Sequence, residues 1–384
     1  FFSSISAVPC AEPDANDIIQ CYSAAELKGV SCLLINMPIR EQAKPNNAPL
    51  GLCLLAAQLK KYGAKAQILD LNSYRIHDEY SASKNLKNGR VLLEEEAEKK
   101  IRDYLNIKDY DLIALSGLIT TLSWQKIVLK IIKELSPSSY VVSGGGLATE
   151  FREDLVKWMP QLDGIAHSEG DNIILKIARD AFRIKAKGNI SNKEKSEIIA
   201  PSKSVLHNNK LYAIYKGGRP KNLDKLPLPD WDLIVKDVNN EEILENYINT
   251  PIWGKEANNS SATSFSMKRS LNTVSSRGCP FACKFCFRGA QGERNYGIRS
   301  PESLFCEMQK YVERYDIDFL GYVDDNFAVS RKRILDLENL VSTWVKENHL
   351  VWGTHARLDE AADIKTMING TAEFNLPLRV RSMY

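Results

Sequence analysis

From Ser31 onward the chain alternates short, continuously apolar runs with longer stretches whose apolar residues recur at helical spacing. Ser31 to Asn36 (SCLLIN) has the pattern of a strand buried on both faces, and Pro38 stops it. Leu50 to Tyr62 carries Leu52, Leu55, Ala56 and Leu59 on one helical face and closes at Gly63 in the C′ position. Ala66 to Leu71 reads as the next strand. The alternation continues through a charged amphipathic helix (Val91 to Tyr104), a strand (Leu112 to Ser116), a helix with Ser123 as N-cap (Ser123 to Leu135) and a strand running into three glycines (Tyr140 to Ser143). Glu150 to Trp158 is then helical, Gly164 to His167 a strand and Asp171 to Phe182 a helix. Five strands separated by helices predict an α/β fold: a Rossmann-like, flavodoxin-like doubly wound parallel sheet whose ligand belongs at the carboxyl ends of the strands.

The pattern changes after residue 182. Residues 1–29 read as a loosely packed lead-in, 30–200 as the sheet domain, 201–270 as a hairpin and linker, and 271–384 as a second α/β domain. Residues 183–200 are a charged, solvated connector. Ser204 to Leu206 and Leu211 to Tyr215 flank His207-Asn208-Asn209-Lys210 as a hairpin. Leu226-Pro227-Leu228-Pro229-Asp230-Trp231-Asp232 has the composition of a stiff interdomain linker, and Asn240 to Met267 is a polar loop or cap. In the second domain Leu271 to Ser275, Phe319 to Val323 and Leu350 to Thr354 read as strands. Helices begin at Ser300-Pro301, with Pro at N1, and at Ser330. This is a partial (β/α) barrel with three strand-helix units, and Phe374 to Tyr384 fits no expected element. The chain opens at Phe1 and stops soon after a mid-domain element, which reads as a fragment.

Composition narrows the function classes. With 51 basic against 48 acidic residues among 384, the net charge of +3 implies neither a nucleic-acid surface nor a membrane-binding basic face. No apolar run approaches the ~20 residues that cross a bilayer, and no signal-peptide pattern opens the chain. The thiols are expected in a reducing cytoplasm.

The chemistry concentrates in Ser275-Ser276-Arg277-Gly278-Cys279-Pro280-Phe281-Ala282-Cys283-Lys284-Phe285-Cys286-Phe287. Its C-x3-C-x2-C spacing lets Cys279, Cys283 and Cys286 each take one iron of a cubane cluster and leaves one iron open. Phe281, Phe285 and Phe287 would keep water from such a cluster. A structural zinc site, with Cys306 as the nearest fourth ligand, is the competing reading and would make the chain a zinc-stapled, non-catalytic binding module. On the sheet domain, the loops after the first, third and fourth strands share one edge. The pair Ser116-Gly117 and the run Gly144-Gly145-Gly146 allow a ligand close to the backbone there, or simply make a tight turn into a helix. Asp324-Asp325-Asn326 ends the second strand of the second domain, as an Asx-turn or as a cation-binding pair. His77 reads as a surface histidine and His167 as a satisfied structural one.

The triplet, with an aromatic before its third Cys, resembles the signature of the radical S-adenosylmethionine (radical SAM) enzymes. The lead-in Val274 to Pro280 and the later Gly321-Tyr322-Val323-Asp324-Asp325-Asn326-Phe327 resemble the subgroup with an N-terminal cobalamin-binding domain. That resemblance implies a [4Fe-4S] cluster, S-adenosylmethionine and cobalamin as cofactors, a small-molecule substrate, and an electron donor such as flavodoxin or ferredoxin. It implies further that Asp324 or Asp325 holds the ammonium of S-adenosylmethionine, that Arg357 faces its carboxylate or ribose, and that Ser116, Gly117 and Gly144 to Gly146 line the cobalamin site. The implied activity is methylation of an unactivated carbon, with radical cyclisation or rearrangement as the alternative. Met37-Pro38-Ile39-Arg40-Glu41 departs from the D-x-H-x-x-G of many cobalamin domains, so no histidine follows the first strand to coordinate cobalt.

Overall fold

The computed structural model describes residues 27–39, 47–74, 93–249, 268–283, 286, 296–357 and 378–383. The chain divides into two compact units. Among the described residues, one is built on 27–218 together with Leu226–Asn246, the other on Arg219–Lys225 and the chain from Tyr247 onward. Among the described residues no helix is long and apolar enough to cross a membrane.

The first unit runs β1 (Ser31–Asn36), α1 (Leu50–Lys61), β2 (Lys65–Asp70), α2 (Glu94–Ile107), β3 (Leu112–Ser116), α3 (Leu122–Leu135), β4 (Tyr140–Gly144), α4 (Gly146–Phe151), β5 (Gly164–His167), α5 (Ile173–Lys187), β6 (Lys203–His207) and β7 (Lys210–Lys216). Its sheet has the order β2-β1-β3-β4-β5-β7-β6. The first five strands are parallel in the flavodoxin order, with the order reversing at β1 and β3. Every residue of β1 is buried, which is why its sequence is a continuous apolar run rather than an alternating one.

Four local expectations are corrected. The hairpin does not stand apart as a connector: β7 pairs in parallel with β5 and antiparallel with β6, so both strands extend the sheet. Asn208 and Asn209 take φ of 47° and 59° in its two-residue turn, the conformation that such a hairpin demands. Ser123 is not the N-cap of α3, because a 3-10 turn at Ile119–Thr121 starts the helix early and Ser123 falls in its first turn. The expected helix from Glu150 to Trp158 is broken at Arg152 (φ 46°), where α4 gives way to a 3-10 turn and then a short helix at Leu155–Trp158. The Pro-rich segment from Leu226 does not separate domains; Trp231 is fully buried, Asp230 N donates to Cys53 O at 3.2 Å and Lys60 pairs with Asp230 at 2.5 Å. Burial of Trp231 outweighs the stiffness of the prolines. His77 and most of the loop after β1 lie outside the described residues.

The second unit runs β8 (Ser270–Thr273), β9 (Ser276–Arg277), β10 (Gly297–Ile298), α6 (Pro301–Tyr315), β11 (Phe319–Tyr322), α7 (Arg331–Glu347), β12 (Val351–Arg357) and β13 (Leu378–Met383). Strands β8, β11, β12 and β13 are parallel neighbours in chain order. Successive parallel strands with helices between them are the opening of a (β/α) barrel. Strand β13 corrects the expectation that the chain's last residues match no element: it adds a fourth parallel strand on β12. Ser300 caps α6 by accepting from Ser303 N, with Pro301 at N1, and Ser330 caps α7. Tyr322, Phe327 and Trp352 pack with ring centroids 5.6–5.8 Å apart.

Candidate functional site

Beyond β8 the chain passes through β9 into the cysteine segment and returns through β10. The antiparallel pairs Arg277↔Gly297 and Ser276↔Ile298 close the loop at its base. Arg299 N donates to Ser275 O at 2.9 Å one step further down. Both ends of the loop are thus tied to the carboxyl end of the first barrel strand, where a (β/α) barrel keeps its reactive groups. Cys279, Cys283 and Cys286 are free, half-buried thiols, and Cys286 N donates to Cys283 O at 3.1 Å. Burial raises the Cys279 thiol above its ordinary pKa, and the charges of Asp325 and the other two thiols push the same way. Loading a metal on this thiol therefore releases a proton. Among the described residues no three His, Cys, Asp or Glu side chains are grouped as ligands of a single metal ion. A cubane takes one thiolate per iron and does not require that convergence. Phe285 and Phe287 lie outside the described residues.

Beneath the loop lies a buried polar layer. Asp324 is 3% exposed and its carboxylate accepts from Ser275 N (2.7 Å), from the Ser275 hydroxyl and from Ser276 Oγ (2.7 Å). Burial raises its pKa, opposed by those hydrogen bonds and by the charge of Arg333. Arg299 pairs with Glu307 at 2.5 Å, and Thr273 Oγ1 donates to the other Glu307 oxygen at 2.9 Å. Arg333 donates to Arg299 O (2.9 Å) and to Ser275 O (3.0 Å).

The acidic pair expected to bind one ligand is thus divided between two tasks. Asp324 is committed to Ser275 and Ser276, whereas the half-buried Asp325 accepts from Gly278 N at 3.0 Å, next to Cys279. Arg357 belongs to β12 rather than following it, and its guanidinium lies 4.1 Å from the centroid of the Phe281 ring. Cysteines, Asp325 and Arg357 are therefore brought together. Cys306 is 5% exposed inside α6. Sequence reasoning assigned no role to Ser275, Ser276, Arg299, Glu307 or Arg333. The one legible signal was the Ser-Ser pair directly after a strand.

The carboxyl edge of the first unit is built differently. Ser116 ends β3, Gly144 ends β4, Gly145 precedes α4 with φ +81° and Gly146 opens it. Gly117 and Gly145 meet backbone to backbone. A Cβ on Gly145 would lie 2.9 Å from Gly117 O, and one on Gly117 would lie 2.1 Å from Thr121 Oγ1. Leu147 N donates to Gly117 O at 3.1 Å. The glycines thus serve the turn and the mutual packing of two loops. Leu118 and Ile119, next along, are 48% and 50% exposed. Asn36 Nδ2 donates to Asp70 Oδ1 at 2.8 Å on the same edge. His167 is buried beside the Ser168 hydroxyl (3.2 Å). Burial first, then the charges of Arg152 and Lys216, lower its pKa.

No family model matches the chain. Among curated proteins it is similar to the anaerobic magnesium-protoporphyrin IX monomethyl ester cyclase of Rubrivivax gelatinosus, 24% identical over 267 residues that cover 69% of this chain and 42% of the relative. The chain spans about two fifths of that relative's length. Among solved structures it resembles the radical S-adenosylmethionine methyltransferase TsrM from Kitasatospora setae, with cobalamin and a [4Fe-4S] cluster bound (TM-score 0.56, 15% identity, 87% of this chain and 56% of that one). It also resembles the cobalamin-dependent S-adenosylmethionine radical enzyme OxsB with aqua-cobalamin bound (TM-score 0.58, 18% identity, 87% and 40%). The resemblance drawn from the cysteine triplet is borne out. The fold shared with these structures is a Rossmann-like sheet followed by a partial (β/α) barrel.

Proposed function

We propose that this chain is the cobalamin-binding and cluster-binding part of a radical SAM enzyme that methylates an unactivated carbon of a small molecule. The observation that carries the reading is a set of three free thiols in C-x3-C-x2-C spacing, on a loop pinned at the carboxyl end of the first barrel strand. When bound, the cluster supplies one electron that splits S-adenosylmethionine into methionine and a 5′-deoxyadenosyl radical, and cobalamin supplies the methyl group. Cys279, Cys283 and Cys286 would hold the cluster through three thiolates, without a fourth protein ligand from this loop. Asp325, just past β11 and accepting from Gly278 N, would take the nucleotide's ammonium. Arg357, stacked on Phe281, keeps a cation on the same side for the nucleotide's carboxylate. Ser116, Gly117 and Gly144 to Gly146 present backbone to cobalamin, and the exposed Leu118 and Ile119 supply an apolar surface for its macrocycle.

Anaerobic reconstitution with iron and sulfide tests the reading. Up to four irons per chain and absorbance near ~400 nm are expected, lost on replacing Cys279, Cys283 or Cys286 and kept in Cys306→Ala. Stoichiometric zinc without iron uptake would overturn it. Radical cyclisation is a second reading, favoured by the similarity to a cyclase. Deoxyadenosine formation with no uptake of cobalamin would select it over methyl transfer.

A further inference from the structure

We propose that Arg333 and Asp324 clasp the base of the cysteine loop closed before any cofactor arrives, and act as positioning residues rather than as ligand contacts. The inference rests on reading the three cysteines as cluster ligands.

Arg333 reaches in from α7 and is 5% exposed. Its Nε donates to Arg299 O at 2.9 Å and its Nη2 to Ser275 O at 3.0 Å. These two carbonyls lie at opposite ends of the loop, so a single rigid guanidinium spans the closure. A lysine, with one point charge, cannot reproduce that fork. Asp324 works from the other side, on the outgoing limb alone, through Ser275 N and the hydroxyls of Ser275 and Ser276. All three hydrogen-bonding contacts are used inward, which leaves Asp324 unsuited to an incoming ammonium.

A second observation argues that this arrangement serves more than stability. Arg333 Nη1 is buried with no hydrogen-bond partner, and the guanidinium carbon lies 5.1 Å from the Phe327 ring centroid. A buried cation with an unsatisfied donor is a poor stabiliser compared with an apolar residue of similar size. What the cation does supply is geometry. With the ends already joined, cluster binding need not offset the entropy of closing the loop, and the cysteines are presented on a preorganised frame.

The test uses the full chain as wild type, Arg333→Met, Arg333→Lys and Asp324→Asn. Hydrogen exchange is read in the metal-free proteins at Ser275 to Arg277 and Gly297 to Arg299. Iron and sulfide are counted after anaerobic reconstitution, and the reduced cluster is examined by electron paramagnetic resonance with and without S-adenosylmethionine. Protection at both loop ends is expected in metal-free wild type. Arg333→Met should raise exchange there about tenfold while leaving β1 unchanged, at least halve the iron retained and weaken the spectral change on adding S-adenosylmethionine. Arg333→Lys should recover one loop end only, and Asp324→Asn should loosen Ser275 to Arg277 but not Gly297 to Arg299. Wild-type exchange and spectra in Arg333→Met would overturn the proposal. Should that variant lose protection throughout, Asp324→Asn decides, and equal loosening of both ends in it would count against the clasp. Wild type that shows the protection but takes up no iron would leave the clasp standing and sink the cluster reading instead.

Discussion

The carboxyl edges of the two sheets do the same architectural job with opposite chemistry. On the flavodoxin-like sheet the loops are held mainly by small residues, hydroxyls and amides, with a single carboxylate among the groups named: Gly117 against Gly145, Ser143 Oγ donating to Gln125 Oε1 at 2.7 Å, and the Asn36 amide on Asp70. On the partial barrel the corresponding layer is charged, made of Arg299, Glu307, Asp324 and Arg333, all buried. A backbone-built edge can approach a large flat ligand closely and is sensitive to added volume. An edge built from buried ions holds a loop in one register and is sensitive to loss of a single charge. On the proposed function, the first edge would face a wide macrocycle and the second a metal cluster with a charged nucleotide.

Four changes would break or sharpen that contrast. The largest effect belongs to the thiols: replacing any one of Cys279, Cys283 and Cys286 by Ala should abolish stable iron uptake, counted by metal analysis, while cobalamin titration is unaffected. Next comes Glu307→Gln, which leaves Arg299 buried without its partner and should cost about 3–5 kcal/mol in a denaturant melt. Glu338, on α7, is a third charged position. Burial lifts its carboxyl to about 7 from 4.5, against the pull of Lys346. A carboxyl raised in the folded state contributes stability that is complete below the unfolded value and is lost as pH rises through the folded one. Glu338→Gln should therefore gain about 2 kcal/mol over wild type at pH 8 and little at pH 4.5, as read from paired melts. The last effect, of a size with that at Glu338, is expected at the glycine-built edge. Gly145→Ala, with φ +81° and backbone in the way, should lose about 1–3 kcal/mol and weaken cobalamin uptake in step, without changing iron content.

Much of the fold was legible because its signals are local. Helical spacing at Leu52, Ala56 and Leu59, the capped start at Ser300-Pro301 and the continuous apolar β1 each follow from residues within a few positions of one another. The errors share a cause too. Whether the Lys203–Lys216 hairpin hangs free or joins β5, and whether Leu378–Met383 is a strand, depend on hydrogen bonds to segments far along the chain. The Pro-rich stretch before Asp232 looked like a spacer because proline composition is visible, whereas the burial of Trp231 is not.

The candidate site divides in the same way. Its proposed metal chemistry was legible in the spacing of Cys279, Cys283 and Cys286, since three soft donors within one short loop point to a metal without reference to distant residues. The sequence alone also determined that strands alternate with helices in both units, through the period of their apolar residues. Only the tertiary structure decided which carboxylate of Asp324-Asp325 turns under the loop and which lies beside the first thiol. Consecutive side chains at a strand end diverge, and each finds its role through groups nearly fifty residues away. The same holds for Arg333, whose two acceptors become neighbours only once the loop has closed.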